Sequence, residues 1–187
     1  MDKIQGDYFS SIGKWREATR HYLKAVEKSV ALSDNRITVY LYNAAGYCNY
    51  NHYNFRKGLE YYYQAFLYMP DDIEEAEIGL TCDNIGELLY RSGLYEQAIE
   101  YLGRAQYFKE LSSRWIKVTG FYSEIKTQIL MGICYVKMGI INRAEECYNR
   151  VKDEKGSAVI VHHKVHILLL KALISAYYQQ NRDAERE

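Results

Sequence analysis

The sequence predicts an all-α fold, an α-solenoid of stacked helix–turn–helix repeats, and three observations predict it. A single proline in 187 residues leaves long stretches free of helix breakers. Apolar residues make up 48% of the chain, enough to give every helix a buried face. A pattern of small and large residues also recurs. It is seen in "GDYFSSIGKWREATRHYLKA" from Gly6, "GYCNYNHYNFRKGLEYYYQA" from Gly46, "GELLYRSGLYEQAIEYLGRA" from Gly86 and "GICYVKMGIINRAEECYNRV" from Gly132. Seven residues after the first glycine stands Gly13, Tyr53, Gly93 or Gly139, and two further on a large apolar residue, Trp15, Phe55, Tyr95 or Ile141. A small residue follows (Ala18, Gly58, Ala98 or Ala144), and four later Tyr22, Tyr62, Leu102 or Tyr148.

The elements follow in order. A first helix is expected over about 2–12 and its partner over about 14–31, with the turn at Gly13 between them. "LSDN" at 32–35 supplies caps for a helix over 35–50. Its partner covers 54–68 and stops before Pro70, which cannot continue a helix. Asp71 and Asp72 are expected to open the next helix, 71–91, with Glu74 and Glu75 behind them, because acids complement the positive end of a helix dipole. The partner covers 94–110. The stretch "LSSRWIKVTG" absorbs six extra residues, the next helix ends near Met138, and 141–152 completes the fourth pair. "DEKGS" is a loop. Beyond it "VHHKVHILLLKALISAYYQQ" reads as the first helix of a fifth pair, whose second helix would begin near Asn181. The whole chain, 1–187, is thus one array with repeats at about 1–34, 35–70, 71–111 and 112–154 and a partial repeat at 155–187, and it reads as a segment of a longer array or protein.

These residues resemble the tetratricopeptide repeat (TPR), a helix–turn–helix unit with glycine and a tyrosine on its first helix, a turn glycine, and alanines flanking an aromatic on its second. The steric logic is that small residues let the two helices approach while aromatics fill the holes beside them. The resemblance covers most of the chain. Tyr53 departs from it at a turn glycine and Val151 at a closing alanine, and the repeat of about 40 residues exceeds the usual 34 or so. The resemblance implies right-handed superhelical stacking and a concave groove lined by the first helix of each pair. Carried onto this sequence, the groove candidates are Asp7, Tyr40, Asn43, Tyr47, Tyr50, Asn51, Asp83, Glu87, Tyr90 and Lys126. Tyrosines supply apolar contact at low entropic cost, and amides can bond a peptide backbone. Asp7, Asp83 and Glu87 favour a neutral or basic ligand segment. The Lys/Asn set with which TPR co-chaperones grip a C-terminal carboxylate is mostly missing at the matching positions, which argues against that mode.

The resemblance implies a non-catalytic protein- or peptide-binding module. The tyrosine-rich, 40-residue style is also similar to TPR segments of bacterial signalling proteins, those joined to a diguanylate cyclase or those of peptide-pheromone receptors. It implies a regulatory input segment with a cyclase-type output, or else a pheromone-receptor domain or stand-alone adaptor. No nucleotide loop, dinucleotide fingerprint or Ser/His/Asp set appears, so no catalytic residue, cofactor or metal site is assigned. Lys+Arg and Asp+Glu are both 24, so no basic surplus marks a nucleic-acid binder. No signal-peptide pattern or membrane span is readable, and the expected location is cytoplasmic. Cys48, Cys82, Cys134 and Cys147 lack metal-ligand spacing and read as buried thiols. His162, His163 and His166 share helix faces without a carboxylate or thiol beside them and read as a surface patch. The apolar helix after the last loop lacks the polar outer face a terminal helix needs, which calls for further helices or a homodimer to cover it.

One further question is local. In "EYYYQAF" three tyrosines point in three directions, because each residue turns about 100° from the last. Tyr62 is expected in the core, with Tyr61 over Gly58 and Ala65, and Tyr63 on the other flank.

Overall fold

The computed structural model describes residues 1–112, 124–153 and 159–184. The described residues form nine α-helices: α1 (Asp2–Ser11), α2 (Trp15–Ala31), α3 (Asn35–Asn51), α4 (Phe55–Leu67), α5 (Glu75–Arg91), α6 (Tyr95–Leu111), α7 (Glu124–Lys137), α8 (Ile141–Val151) and α9 (Val159–Ala184). Each second helix packs on the first helix of its own pair and on the first helix of the next: α2 against α1 and α3, α4 against α3 and α5, α6 against α5 and α7. That serial docking makes a solenoid with a continuous core rather than separate bundles. The stretch "LSSRWIKVTG" falls almost wholly outside the described residues, as does the loop "DEKGS" beyond its first residue.

Sterics of the recurring positions explain the pairing. Ala18, Ala98 and Ala144 are fully buried, and so is Tyr62, with 2% of its surface exposed. The Tyr22 ring lies on Gly6 and the Tyr62 ring on Gly46, so closely that a methyl group on either glycine would stand 2.6 Å from the ring. Leu102 covers Gly86 in the same way. At Gly132 the covering side chain is Leu170 of α9, from the following helix.

The turns between paired helices need a left-handed residue. Gly13, Gly93 and Gly139 have φ of 73°, 77° and 75°. Tyr53 takes the same conformation at φ 60°, which disfavours a residue with a Cβ by about 1–2 kcal/mol. Its side chain is almost fully exposed, with an edge contact to Phe55. Tyr53→Gly is therefore expected to raise stability by about 1 kcal/mol, read as a higher urea midpoint with an unchanged slope.

Two boundaries differ from the sequence reading. Asp71 and Asp72 do not open α5; they lie in a turn, and the helix starts at Glu75 with Glu74 as its cap. Asp72 is drawn aside by Arg36, whose guanidinium donates to its carboxylate at 2.8 Å and to its carbonyl at 2.9 Å. The acids at the start of α5 are Glu75 and Glu77. No break falls near Asn181, since α9 runs unbroken to Ala184. Ile167, Leu170 and Ile174 bury one side of α9 in a cluster with Ile129, Ile133, Ala144 and Val151. Val165, Leu168 and Leu169 remain exposed on the other.

The three tyrosines separate, but the place over Gly58 expected for Tyr61 is taken by Leu88. Tyr62 enters the core with Ile85, Leu88 and Leu89. Tyr61 stacks on Tyr42 at 6.4 Å, and Tyr63 meets Tyr101 of the following pair edge-on at 6.0 Å. All four cysteines are buried and unpaired. Burial pushes the thiols of Cys48, Cys82 and Cys147 up to about 11 and that of Cys134 to about 12, so they are inert packing groups at neutral pH. Among the described residues no helix is long and apolar enough to cross a membrane.

Candidate ligand groove

The first helices α3, α5 and α7 sit side by side, and α9 packs on α7. Between them lies a cavity of about 1030 Å³. Nine of the ten predicted groove residues line it: Tyr40, Asn43, Tyr47, Tyr50, Asn51, Asp83, Glu87, Tyr90 and Lys126. The tenth, Asp7, stands behind the wall. Its carboxylate accepts from the hydroxyls of Tyr22 (2.8 Å) and Tyr40 (3.1 Å), both of which line the cavity, and from Lys3 Nζ (2.9 Å). Burial pushes the Asp7 carboxyl up, but Lys3 and the two tyrosines outweigh it, and the net shift is downward.

The structure reassigns what several of these residues do. Asp83 is 2% exposed, too deep to serve as a free anion for a ligand. It accepts from Thr127 Oγ1 at 2.7 Å and pairs with Lys109 Nζ at 3.2 Å, while Lys109 also donates to Thr127 at 2.7 Å. Lys126 lies 3.8 Å from Asp83 and 2.6 Å from Glu87. Burial would raise the Asp83 carboxyl, but Lys109, Lys126 and Thr127 together bring it below the usual carboxylate range. Glu87 in turn accepts from Tyr50 at 2.5 Å, with Arg91 at 3.7 Å. Burial and the Glu87 charge push the Tyr50 phenol up to about 12.

Asp7, Asp83 and Glu87 are the acids expected to favour a neutral or basic ligand segment. Each carboxylate already has a cation of its own chain. Leaving the histidines aside, Glu77, Asp83 and Glu87 line the cavity against Arg91 and Lys126, and Lys109 sits on Asp83. Three negative charges meet three positive ones, so the cavity is electrically balanced.

The amides are also partly engaged. Asn43 exchanges hydrogen bonds with Thr81 (3.0 and 3.3 Å), tying α3 to α5, and Asn51 donates to the Tyr47 carbonyl at 2.8 Å. Tyr47 is half-exposed, its ring edge-on to Trp15 at 6.0 Å. Tyr90 packs against Tyr95 and under the Arg91 guanidinium.

Sequence reasoning missed the far wall. Ile129, Leu130 and Ile133 of α7 and Leu169, His163 and His166 of α9 close that end. Ile133 occupies the repeat position of Asp7, Tyr47 and Glu87, so the register carried a signal that the lining turns apolar there. Among the described residues no three His, Cys, Asp or Glu side chains gather as a metal site.

No protein-family profile and no curated protein matches the sequence. Solved structures are. BtubC (BKLC) from P. vanneervenii superposes with a TM-score of 0.70 over 97% of this chain and 74% of its own, at 14% identity. YrrB, described as a TPR protein with an unusual peptide-binding site, superposes with a TM-score of 0.61 over 92% of this chain and 82% of its own, also at 14% identity. The chain has the TPR fold. The cavity lies on the face formed by the first helices of that fold.

Proposed function

We propose that the chain is a non-catalytic peptide-binding TPR module that takes a short peptide in the cavity of its first-helix face. The observation that carries this reading is the cavity itself. At about 1030 Å³ it stands at the upper end of the roughly 300–1,000 Å³ typical of ligand sites, and its lining mixes tyrosines, amides and an apolar end. Aromatic body with a polar tip is the chemistry that grips backbone and side chain together. The printed description of YrrB as a peptide-binding TPR protein supports the same reading.

In its biological setting we place the module as the sensory or regulatory segment of a larger bacterial signalling protein, with a diguanylate cyclase-type output, acting in the cytoplasm. A second reading, a stand-alone adaptor that pairs with its own copy, is favoured by one observation, the exposed Val165, Leu168 and Leu169 on α9.

The groove is tested with a fluorescein-labelled peptide selected on the intact chain from a random octapeptide library. Tyr47→Ala, which removes a half-exposed wall of the cavity, is expected to weaken binding about tenfold, with helicity by circular dichroism unchanged. Asn43→Ala acts in the same direction and also loses the Thr81 tie. Undiminished affinity in both variants would sink the groove assignment.

A further inference from the structure

The repeats place a tyrosine on the second helix opposite the residue that follows the first glycine. In the first pair these are Tyr22 and Asp7, and the phenol donates to the carboxylate at 2.8 Å. In the third pair Glu87 keeps the acid while Leu102 replaces the tyrosine, and Glu87 turns to Tyr50 and Lys126. In the second pair the tyrosine is kept as Tyr62 but the acid is gone. Its place holds Tyr47, whose ring leans on Trp15.

The consequence is a donor at the cavity surface with no acceptor among the described residues. Tyr62 is 2% exposed and makes no side-chain hydrogen bond among the described residues, yet it lines the cavity. Its ring crosses Gly46, where a methyl group would stand 2.9 Å from the hydroxyl-bearing carbon. The hydroxyl is not sealed off in the core, so an acceptor can reach it from the cavity. Burial and the Glu87 charge raise the phenol well above its usual value, so it remains an O–H donor at any physiological pH.

We propose that Tyr62 forms the floor of a hydrogen-bond subsite and donates to a backbone carbonyl oxygen of the bound peptide. The proposal rests on the groove reading and adds the chemistry of its floor. The ligand atom must be an acceptor, because Tyr62 offers a proton. The segment over it is neutral, because the lining charges already cancel. An apolar side chain of the same peptide fits beyond it, against Ile129, Ile133 and Leu169.

The test uses octapeptides selected on the intact chain, with affinity read by fluorescence anisotropy for wild type and Tyr62→Phe. The variant keeps the ring over Gly46 and loses no partner among the described residues. Its thermal midpoint is expected to stay unchanged while peptide affinity falls about tenfold. Tyr22→Phe strips a hydrogen bond from Asp7 and is expected to lower the midpoint instead. Replacing each peptide amide in turn by an ester weakens one carbonyl acceptor at a time. One ester is expected to weaken binding to wild type and to have no effect on Tyr62→Phe, a non-additive cycle that locates the oxygen. Equal affinity of Tyr62→Phe and wild type, or additive effects at every ester, overturns the subsite. If Tyr47→Ala still weakens the same peptides, the groove stands and only its floor is wrong. If the library yields no binder, or binders indifferent to Tyr47→Ala and Asn43→Ala, both readings fall together.

Discussion

Lys109→Met is expected to destabilise the fold by about 3 kcal/mol, the largest effect of any single change considered for this protein. Lys109 and Asp83 have about 5% and 3% of their side-chain surfaces exposed and lie 3.2 Å apart, with Thr127 bonded to both. Methionine fills much the same volume, so packing survives while a carboxylate is left under-compensated in the core. Lys126 remains, but at 3.8 Å and a third exposed, and it is already committed to Glu87. Removing one member of a buried pair typically costs about 3–5 kcal/mol, and the residual partner places this case at the low end.

The sign of the pH dependence separates this mechanism from a simple packing defect. In the wild type the Asp83 carboxyl lies below its unfolded value of about 3.9. Its contribution to stability is therefore present above that value and lost as pH falls through the folded one. Without Lys109 burial dominates and raises the folded value. Once it passes the unfolded value the slope reverses, and acidification from neutral pH stabilises the variant relative to wild type. Asp83→Leu added to Lys109→Met removes the stranded charge and is expected to recover most of the loss. Urea midpoints of the three proteins across pH 4–8 measure this. A single variant equal to wild type, or a double variant worse than the single, contradicts it.

This buried pair marks the limit of what the chain disclosed as a sequence. Helix pairing was legible because it depends on residue size at fixed spacing: Gly13, Gly93 and Gly139 sit at positive φ where the period puts them. Tyr53 follows them at φ 60°, so the fold imposes the turn on a residue that resists it. That nine of the ten groove candidates line one cavity was legible for the same reason, since their place on a helix face follows from register. Their roles were not. Asp83 is 26 residues from Lys109 and 44 from Thr127, and nothing local in "YFKEL" distinguishes a buried lysine from a surface one. The start of α5 was misplaced because an acidic run suits a helix N-terminus by charge alone, whereas Arg36 holds Asp72 in the preceding turn. Tyr62 was rightly assigned to the core by its ring. That its hydroxyl lacks an acceptor becomes visible only when Tyr22 with Asp7 and Tyr62 with Tyr47 are set side by side.

Gly46→Ala is expected to destabilise by about 2 kcal/mol, although the same exchange in an open helix stabilises. An alanine Cβ at this position would stand 2.6, 2.7 and 2.9 Å from three carbons of the Tyr62 ring. A flexible side chain would yield, but a phenol ring packed against Ile85, Leu88 and Leu89 cannot bend. Either α3 and α4 move apart or the ring tilts into the cavity, and forced overpacking of this kind costs about 1–3 kcal/mol. Three contacts below 3.0 Å place that cost at the upper end, and the intrinsic helix preference of alanine over glycine returns about 1 kcal/mol, which leaves about 2 kcal/mol. Gly103 supplies the internal control: it lies in α6 with nothing within 4 Å of where a Cβ would stand. Gly103→Ala is therefore expected to raise stability by about 1 kcal/mol. Opposite signs for one chemical change at two helical positions, read from urea midpoints, isolate close approach as the reason for Gly46. The tilt carries a second consequence. A ring displaced from Gly46 moves the Tyr62 hydroxyl off the cavity floor, so Gly46→Ala should weaken peptide binding in wild type and add little in Tyr62→Phe. Destabilisation without that coupling would mean that the helices, rather than the ring, give way.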